Sequence, residues 1–307
     1  MSEQHGSEQE REQEIVVVTG PAGSGRSTAI GALEDLGFEA IDNLPISLLP
    51  RLFSGPPLTR PVVVGIDPRN RDFSVAGVLE TIEAVARETS TKPVLAFLDC
   101  DAQTLLRRYN ETRRRHPLSP SGSPRVGIER EIALLAPLRE RADVLIDTAS
   151  LTPHELRAEI GRLFGEGAAG GELVVGLESF SYKRGTPRSS DMVIDVRFLR
   201  NPHWDAELRP RDGRDEAVQA FVKADPAFGP FYDKLTDLLR FLLPAYSAEG
   251  KSYFSLGIGC TGGRHRSVTL VESLAKTLAQ DGWRVSTRHR DLERATPAAA
   301  GSGVGTA

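Results

Sequence analysis

A short apolar strand that runs straight into a glycine-rich loop constrains this sequence more than any other feature. Residues 14–19 are EIVVVT, a β-branched run typical of a buried parallel strand. The loop Gly20–Ser27 follows with the sequence GPAGSGRS, and a helical pattern begins at Ser27. This matches the phosphate-loop pattern GxxxxGK[ST] except at Arg26, in the strand–loop–helix context that the motif requires. The sequence therefore predicts a P-loop; the alternative is a strand-to-helix turn with no ligand.

Each part of this loop has a chemical reason to hold phosphate. Glycines let backbone N–H groups turn towards phosphate oxygens, and the helix N-terminus adds partial positive charge. Arg26 stands where lysine is usual, and its planar, forked guanidinium does not place a point charge as lysine does. We therefore expect phosphate binding to survive this change better than hydrolysis, with Ser27 as the Mg²⁺ ligand. The expected contact residues are Gly20, Pro21, Ala22, Gly23, Ser24, Gly25, Arg26 and Ser27.

Apolar strands alternate with helical patterns along the chain, which predicts a parallel sheet with helices on both faces. In the first half, strands are expected at 38–41, 61–67, 93–99 and 142–147, and helices at 75–87, 102–114, 128–141 and 154–164. In the second half, strands are expected at 173–177, 192–198, 253–258 and 283–286, and helices at 216–223, 228–243 and 266–280.

A glycine-rich break at 165–171 (GEGAAGG) is the expected domain boundary. The fold prediction is α/β: a P-loop, kinase-like parallel-sheet domain over 14–165, then a smaller α/β domain over 172–294. The polar start at 1–13 and the Ala/Gly/Ser-rich end at 295–307 are expected to be disordered tails.

Composition narrows the classes of function. No apolar run is long enough for a membrane helix, and the polar start does not resemble a secretory signal, so a cytoplasmic protein with no membrane partner is expected. Two cysteines, Cys100 and Cys260, cannot build a disulfide framework. The net charge of −4 means that any nucleic-acid binding must come from a local basic patch.

Two aspartates end apolar strands where a carboxylate could hold Mg²⁺ through water. Asp67 opens the polar turn Asp67, Pro68, Arg69, Asn70 at a strand's carboxyl end, where open α/β sheets bind ligands. Asp99 ends the following strand. Either could instead cap a helix. The expected catalytic set is Arg26, Ser27 and Asp99.

A basic helix precedes a segment rich in Pro, Ser and Gly. Arginines lie at 107, 108, 113, 114 and 115, and the Pro/Ser/Gly-rich segment spans 117–124. Such a segment is consistent with a mobile lid carrying phosphate-binding arginines or with a solvated basic face.

A second strand, glycine-rich loop and helix occur around Cys260, which begins the sequence CTGGRHRS. This is a second candidate anion site. The spacing of Cys260, Arg266 and Ser267 also matches the phosphate loop of cysteine phosphatases. Because Gly259 stands where those enzymes usually have a histidine, we favour phosphate binding without cysteine chemistry. A third interpretation is a buried thiol in a tight turn with no ligand. The expected phosphate or phosphosugar residues are Arg197, Asn201, His203, Cys260, Thr261, Gly262, Gly263, His265 and Arg266.

The last ordered segment, 284–294, is locally basic and could contact RNA phosphates. It also carries Asp291 and Glu293, so a solvated tail explains it equally well.

Together these motifs resemble the RapZ/YvcJ family of nucleotide-binding proteins over nearly the whole chain. The matching stretches are 20–27, 37–45 (GFEAIDNLP), 67–70 (DPRN), 107–114 (RRYNETRR), 116–118 (HPL), 178–180 (ESF), 195–199 (DVRFL), 201–204 (NPHW), 259–263 (GCTGG), 265–267 (HRS) and 288–290 (RHR). The resemblance implies ATP and GTP binding with weak nucleotidase activity, with ATP at 20–27 and GTP at 67–70. In the RapZ branch it further implies small-RNA binding, glucosamine-6-phosphate sensing at the Cys260 loop, and a homo-oligomer.

Two departures limit that transfer. Arg26 weakens the expectation of hydrolysis, and the basic C-terminal segment has fewer lysines than the RNA-binding branch. The leading hypothesis is a regulatory nucleotide-binding protein with slow ATPase or GTPase activity. The rivals are an RNA-binding adapter that presents a small RNA to a ribonuclease, a small-molecule kinase, and a cysteine phosphatase at Cys260.

Overall fold

The first half of the chain folds around a parallel five-stranded sheet. The computed structural model describes residues 14–55, 58–89, 91–112, 123–165 and 173–293. The chain divides into two units, residues 1–172 and 173–307. The strands of the first unit are β1 Ile15–Thr19, β2 Glu39–Asp42, β3 Val62–Gly65, β4 Val94–Asp99 and β5 Val144–Asp147. Their spatial order is β2-β3-β1-β4-β5, and every pairing is parallel.

This order confirms the predicted α/β class with a parallel sheet, and it puts β1, the strand before the loop 20–27, in the centre. Every residue of β1 is buried, because β3 pairs with it on one side and β4 on the other. The carboxyl ends of β1, β3 and β4 therefore lie at one edge of the sheet, where the loop 20–27 begins.

Six α-helices are described in this unit. They are α1 Arg26–Asp35, α2 Leu49–Phe53, α3 Val75–Thr89, α4 Ala102–Thr112, α5 Pro124–Glu140 and α6 Pro153–Phe164. The sequence did not predict α2 or the 3₁₀ turn Ile46–Leu48 before it, because both are short and α2 contains Pro50. The predicted basic residues 113–115 and the segment 117–122 lie outside the described residues.

The second unit is built on a second parallel sheet. Its strands are β6 Val174–Ser181, β7 Met192–Asp195, β8 Tyr253–Cys260 and β9 Arg284–His289, in the order β7-β8-β6-β9. Its helices are α7 Glu216–Lys223, α8 Phe228–Ala248, α9 Arg266–Gln280 and α10 Arg290–Glu293, with 3₁₀ turns at Tyr182–Arg184 and Pro202–Trp204. The central strands β6 and β8 pair along eight residues, from Val174 with Tyr253 to Ser181 with Cys260.

The structure corrects two sequence predictions in this unit. The strand predicted over 192–198 ends at Asp195, because the Asp195 carboxylate accepts the Arg197 N–H at 2.9 Å and turns the chain. The segment 284–293 is packed as β9 and α10 and is not a solvated tail, since Arg290 and Asp291 are both buried.

No helix in the part of the chain that the structure describes is long and apolar enough to cross a bilayer.

Candidate functional site

The loop Gly20–Ser27 adopts the backbone that its glycines predict. Gly20, Gly23 and Gly25 have φ angles of 147°, 86° and 101°, a region that side chains disfavour. A Cβ at Gly20 would also lie inside contact distance of the Leu98 carbonyl oxygen at the end of β4. Glycine at position 20 is therefore required by both conformation and space.

Helix α1 has an N-terminus that no side chain caps. Its N-cap, Gly25, is left-handed, forms no side-chain cap, and has no acidic residue in the turn that follows. By contrast, α6 begins with a capping box between Thr152 and Glu155, and α7 is capped by Asp215. Because the first N–H groups of a helix have no partner within the helix, the start of α1 can accept an anion.

Two residues from other elements hold the loop in place. The Ala22 N–H donates to Glu131 Oε2 of α5 at 3.0 Å, and Arg108 Nη1 of α4 donates to the Gly23 carbonyl at 2.9 Å. The same Arg108 guanidinium donates to the carbonyls of Thr148 and Leu151. Sequence reasoning placed Arg108 in a basic cluster and missed Glu131, whose role depends on a contact 109 residues away in sequence.

Arg26, at the lysine position of the motif, is held by the turn after β3. Its Nη1 donates to the Ile66 carbonyl at 2.9 Å and its Nη2 to Asp67 Oδ2 at 2.5 Å. Both side chains are nearly buried, at 13% exposed for Arg26 and 6% for Asp67. The structure thus brings together the two stretches predicted to bind nucleotide, 20–27 and 67–70.

The turn from Asp67 to Asn70 is closed by its own polar groups. Arg69 donates from its backbone N–H and its side chain to the Asp67 carboxylate, and the Asn70 N–H donates to the Asp67 carbonyl. The Asn70 side chain donates to the Leu44 carbonyl at 2.9 Å. Pro68 lies within the same turn. These contacts fix the position of the Asp67 carboxylate.

The electrostatics of Asp67 follow from these partners. Burial opposes ionisation, but hydrogen bonds from Arg69 and the positive charge of Arg26 outweigh it and lower the pKa of Asp67 from 3.8 to about 2. Asp67 is therefore a carboxylate at any physiological pH, and its charge is balanced by guanidinium groups.

The ion pair predicts a specific acid sensitivity. Because the pKa of Asp67 is lower in the folded than in the unfolded chain, its contribution to stability is complete above the unfolded value of 3.8 and is lost as pH falls through about 2. Between pH 5 and pH 2 we expect the loss of about 2 kcal/mol from this group. Urea unfolding at pH 5 and pH 2 checks this prediction. The unfolding free energy of Asp67→Asn should differ between the two pH values by about 2 kcal/mol less than that of the wild type. Equal differences for the two proteins would contradict the assignment.

The residues do not fit a Mg²⁺ ion held by a strand-end aspartate. Asp67 faces Arg26 and Arg69, while Asp99 is 4% exposed and accepts from Arg139 Nε at 3.1 Å. Ser27 is exposed, so its hydroxyl is accessible to a ligand at the start of α1. Of the predicted metal-site groups, only the Ser27 hydroxyl remains open to a cation.

The second unit also collects its predicted residues at one sheet edge. Cys260 ends β8, is 3% exposed, and its Sγ lies 3.2 Å from both Ser267 Oγ and the Gly263 N–H, which donates to it. His265 is the N-cap residue of α9 and forms no side-chain cap. Like α1, α9 therefore begins with an uncapped turn after a glycine-rich loop.

Arg266 joins this loop to the turn after β7. It is 5% exposed, and its Nη1 donates to the carbonyls of Arg197 at 2.7 Å and Leu199 at 3.0 Å. Its Nη2 donates to Thr261 Oγ1 at 3.2 Å. The guanidinium thus fixes the geometry of the loop, and cysteine-phosphatase chemistry, which needs this arginine on the phosphate, is not favoured.

The remaining predicted residues follow β7, whose carboxyl end lies beside that of β8. Arg197 is exposed, pairs with Asp195, and its guanidinium lies 4.2 Å from the Tyr182 ring centre. His203 is exposed, and its N–H donates to the Asn201 side chain. His265 is buried; burial first, then the charges of Arg264 and His203, lower its pKa, and its Nε2 has no partner among the described residues.

Family models match both units of the chain. The model described as the RapZ-like N-terminal domain matches residues 13–168, and the one described as the RapZ C-terminal domain matches residues 173–293. The chain belongs to the RapZ-like family. The resemblance predicted from the motifs is thereby confirmed.

Relatives in this family match along most of their length. A nucleotide-binding protein of Dinoroseobacter shibae is 57% identical over 282 residues, covering 92% of this chain and 94% of the relative. One of Ruegeria pomeroyi is 56% identical over 280 residues, covering 91% and 98%. Among solved structures, shikimate kinase from Acinetobacter baumannii is 18% identical and covers 49% of this chain and 92% of its own, with a TM-score of 0.37. The α/β fold of the first unit rests on the strand order and the parallel pairings described above.

Proposed function

We propose that this RapZ-like chain is a nucleotide-binding regulatory protein that holds ATP or GTP by their phosphates on Gly20–Ser27. The observation that carries the proposal is the uncapped start of α1, with a left-handed Gly25 and the Arg26 guanidinium beside it. Backbone N–H groups there would bind phosphate oxygens, and Arg26 would neutralise their charge. The relatives' name, nucleotide-binding protein, supports the same conclusion.

Hydrolysis by this site would be slow. Arg26 is tied to Asp67, and the two strand-end carboxylates are engaged by arginines, so neither is free to orient an attacking water. Because neither of these two carboxylates is available as a base, the small-molecule kinase hypothesis is less well supported. A Mg²⁺ ion would arrive bound to the nucleotide, with the Ser27 hydroxyl as the protein group placed to contact it.

Calorimetric titration with ATP and GTP tests the proposal. We expect saturable binding with a Kd below about 1 mM for at least one of them, a free energy better than about −4 kcal/mol. Phosphate release should be slow, below about 1 s⁻¹, and Arg26→Lys should raise it, whereas the remote change Arg240→Lys should not. If neither nucleotide binds, the proposal is wrong.

For the second unit we propose a phosphate or phosphosugar ligand at the Cys260 loop. Support comes from the uncapped start of α9 and from the buried His265 Nε2, which has no hydrogen-bond partner within the described part of the chain. Cys260→Ser would retain such binding if the sulfur has no chemical role. Binding of this ligand would make the regulatory activity of the protein depend on the concentration of the phosphorylated metabolite. We further propose that the protein acts as a homo-oligomer.

An RNA-binding adapter is the alternative function, and one surface favours it. Phe198 and Trp204 are 54% and 79% exposed in a stretch that also carries the exposed residues Arg197, Arg200 and Arg209, a combination suited to stacking bases and binding phosphates. The basic segment 284–293 is less suited, because Arg290 is buried against carbonyl groups and Arg288 lies near Glu178 and Glu293. RNA affinity that falls steeply with salt would support the adapter, and its absence at moderate salt would exclude it.

A further inference from the structure

We infer that the first unit binds nucleoside triphosphate without requiring a divalent cation, because donors of Arg26 and Arg69 already use the acceptor positions of the Asp67 carboxylate that the hydration shell of Mg²⁺ would need. This inference rests on the proposed nucleotide site and specifies how that site neutralises phosphate charge.

The Asp67 carboxylate has no acceptor capacity left for a metal-bound water. Its Oδ1 accepts from the Arg69 N–H at 2.9 Å and from Arg69 Nε at 2.8 Å. Its Oδ2 accepts from Arg26 Nη2 at 2.5 Å and also from Arg69 Nε and Nη2. A carboxylate offers about four lone-pair sites, and these donors use them.

Replacing the guanidinium by Mg²⁺ would be costly in this position. Arg26 is only 13% exposed and is tied to the Ile66 carbonyl as well as to Asp67, so displacing it breaks a nearly buried, charge-assisted pair. Asp99 offers no substitute, since it is buried beside Arg139.

Arg26 can do for the phosphates what the cation does elsewhere. Arginine is charged at every physiological pH and carries more N–H donors than its two anchoring contacts use. Within the described residues, the hydrogen bonds of Arg26 go to Ile66 and Asp67, so its other donors remain for phosphate oxygens. A fixed, permanently charged group at the start of α1 then replaces a mobile ion.

The test is ATP affinity of the intact protein, measured by calorimetry in saturating Mg²⁺ and in excess EDTA. For the wild type we expect the two Kd values to agree within about threefold, which corresponds to a difference in binding free energy of less than about 1 kcal/mol. Arg26→Lys removes the guanidinium that donates to both Ile66 and Asp67. The ATP affinity of this variant should therefore be at least about tenfold weaker in EDTA than in Mg²⁺.

A wild-type affinity that falls more than about tenfold in EDTA would overturn the inference, whether or not the lysine variant folds. No binding in either buffer would instead contradict the nucleotide site itself, and the inference with it. A second readout uses the reciprocity of linked binding. The protein-bound nucleotide should bind Mn²⁺ with an affinity within about threefold of that of free nucleotide, and a gain of more than about tenfold on the protein would contradict the inference.

Discussion

Replacing Ser27 with aspartate is expected to weaken ATP and GTP binding by at least about 100-fold, or about 2.7 kcal/mol. Ser27 is exposed in the first turn of α1, directly after Arg26. A carboxylate there would repel the phosphates and compete for the same N–H groups. It would not disturb the helix, because a negative charge near a helix N-terminus is favourable.

The matched control is Ser27→Asn, which has the size of aspartate without the charge. Its affinity should stay within about fivefold of wild type, because the backbone and Arg26 carry the binding. Both variants should keep the wild-type melting temperature. Equal affinities for Ser27→Asp and the wild type would mean that the phosphates do not lie at the start of α1.

Replacing Arg266 with alanine is expected to lower the unfolding free energy of the second unit by about 3 kcal/mol. The buried guanidinium donates to the carbonyls of Arg197 and Leu199. Its removal leaves both carbonyls without this donor and creates a cavity beside them. Both tryptophans of the chain, Trp204 and Trp283, belong to this unit, so tryptophan fluorescence during urea unfolding reports on it selectively.

Arg264→Ala is the control for that measurement. Arg264 lies in the same loop and also donates to two carbonyls, those of Arg211 and Pro210, but it is exposed. Its loss should cost less than about 1 kcal/mol. If both variants lost the same stability, the effect would come from removing charge and not from the buried hydrogen bonds of Arg266.

The local parts of the fold could be predicted from sequence because their causes are local. The apolar run at 15–19 and the glycines at 20, 23 and 25 determine a buried strand and a loop with positive φ angles. Alternating strands and helices likewise predict parallel sheets. The helix α2 was missed because Pro50 and its short length hide it from periodicity.

The partners within the site could not be predicted, because they depend on which strands become neighbours. Arg26 meets Asp67 only because β3 pairs with β1, which brings together residues 41 apart in sequence. Glu131 reaches the Ala22 N–H from 109 residues away. The sequence proposed Asp67 and Asp99 as metal-binding carboxylates, and only the fold places an arginine on each.

The most direct test of the central claim is an amide chemical-shift titration of the ¹⁵N-labelled protein with a non-hydrolysable ATP analogue. If phosphates bind at the start of α1, the backbone N–H groups of Gly25, Arg26 and Ser27 should show the largest shifts, saturating with the calorimetric Kd. Binding that leaves these three amides unmoved, or no binding at all, would contradict the account.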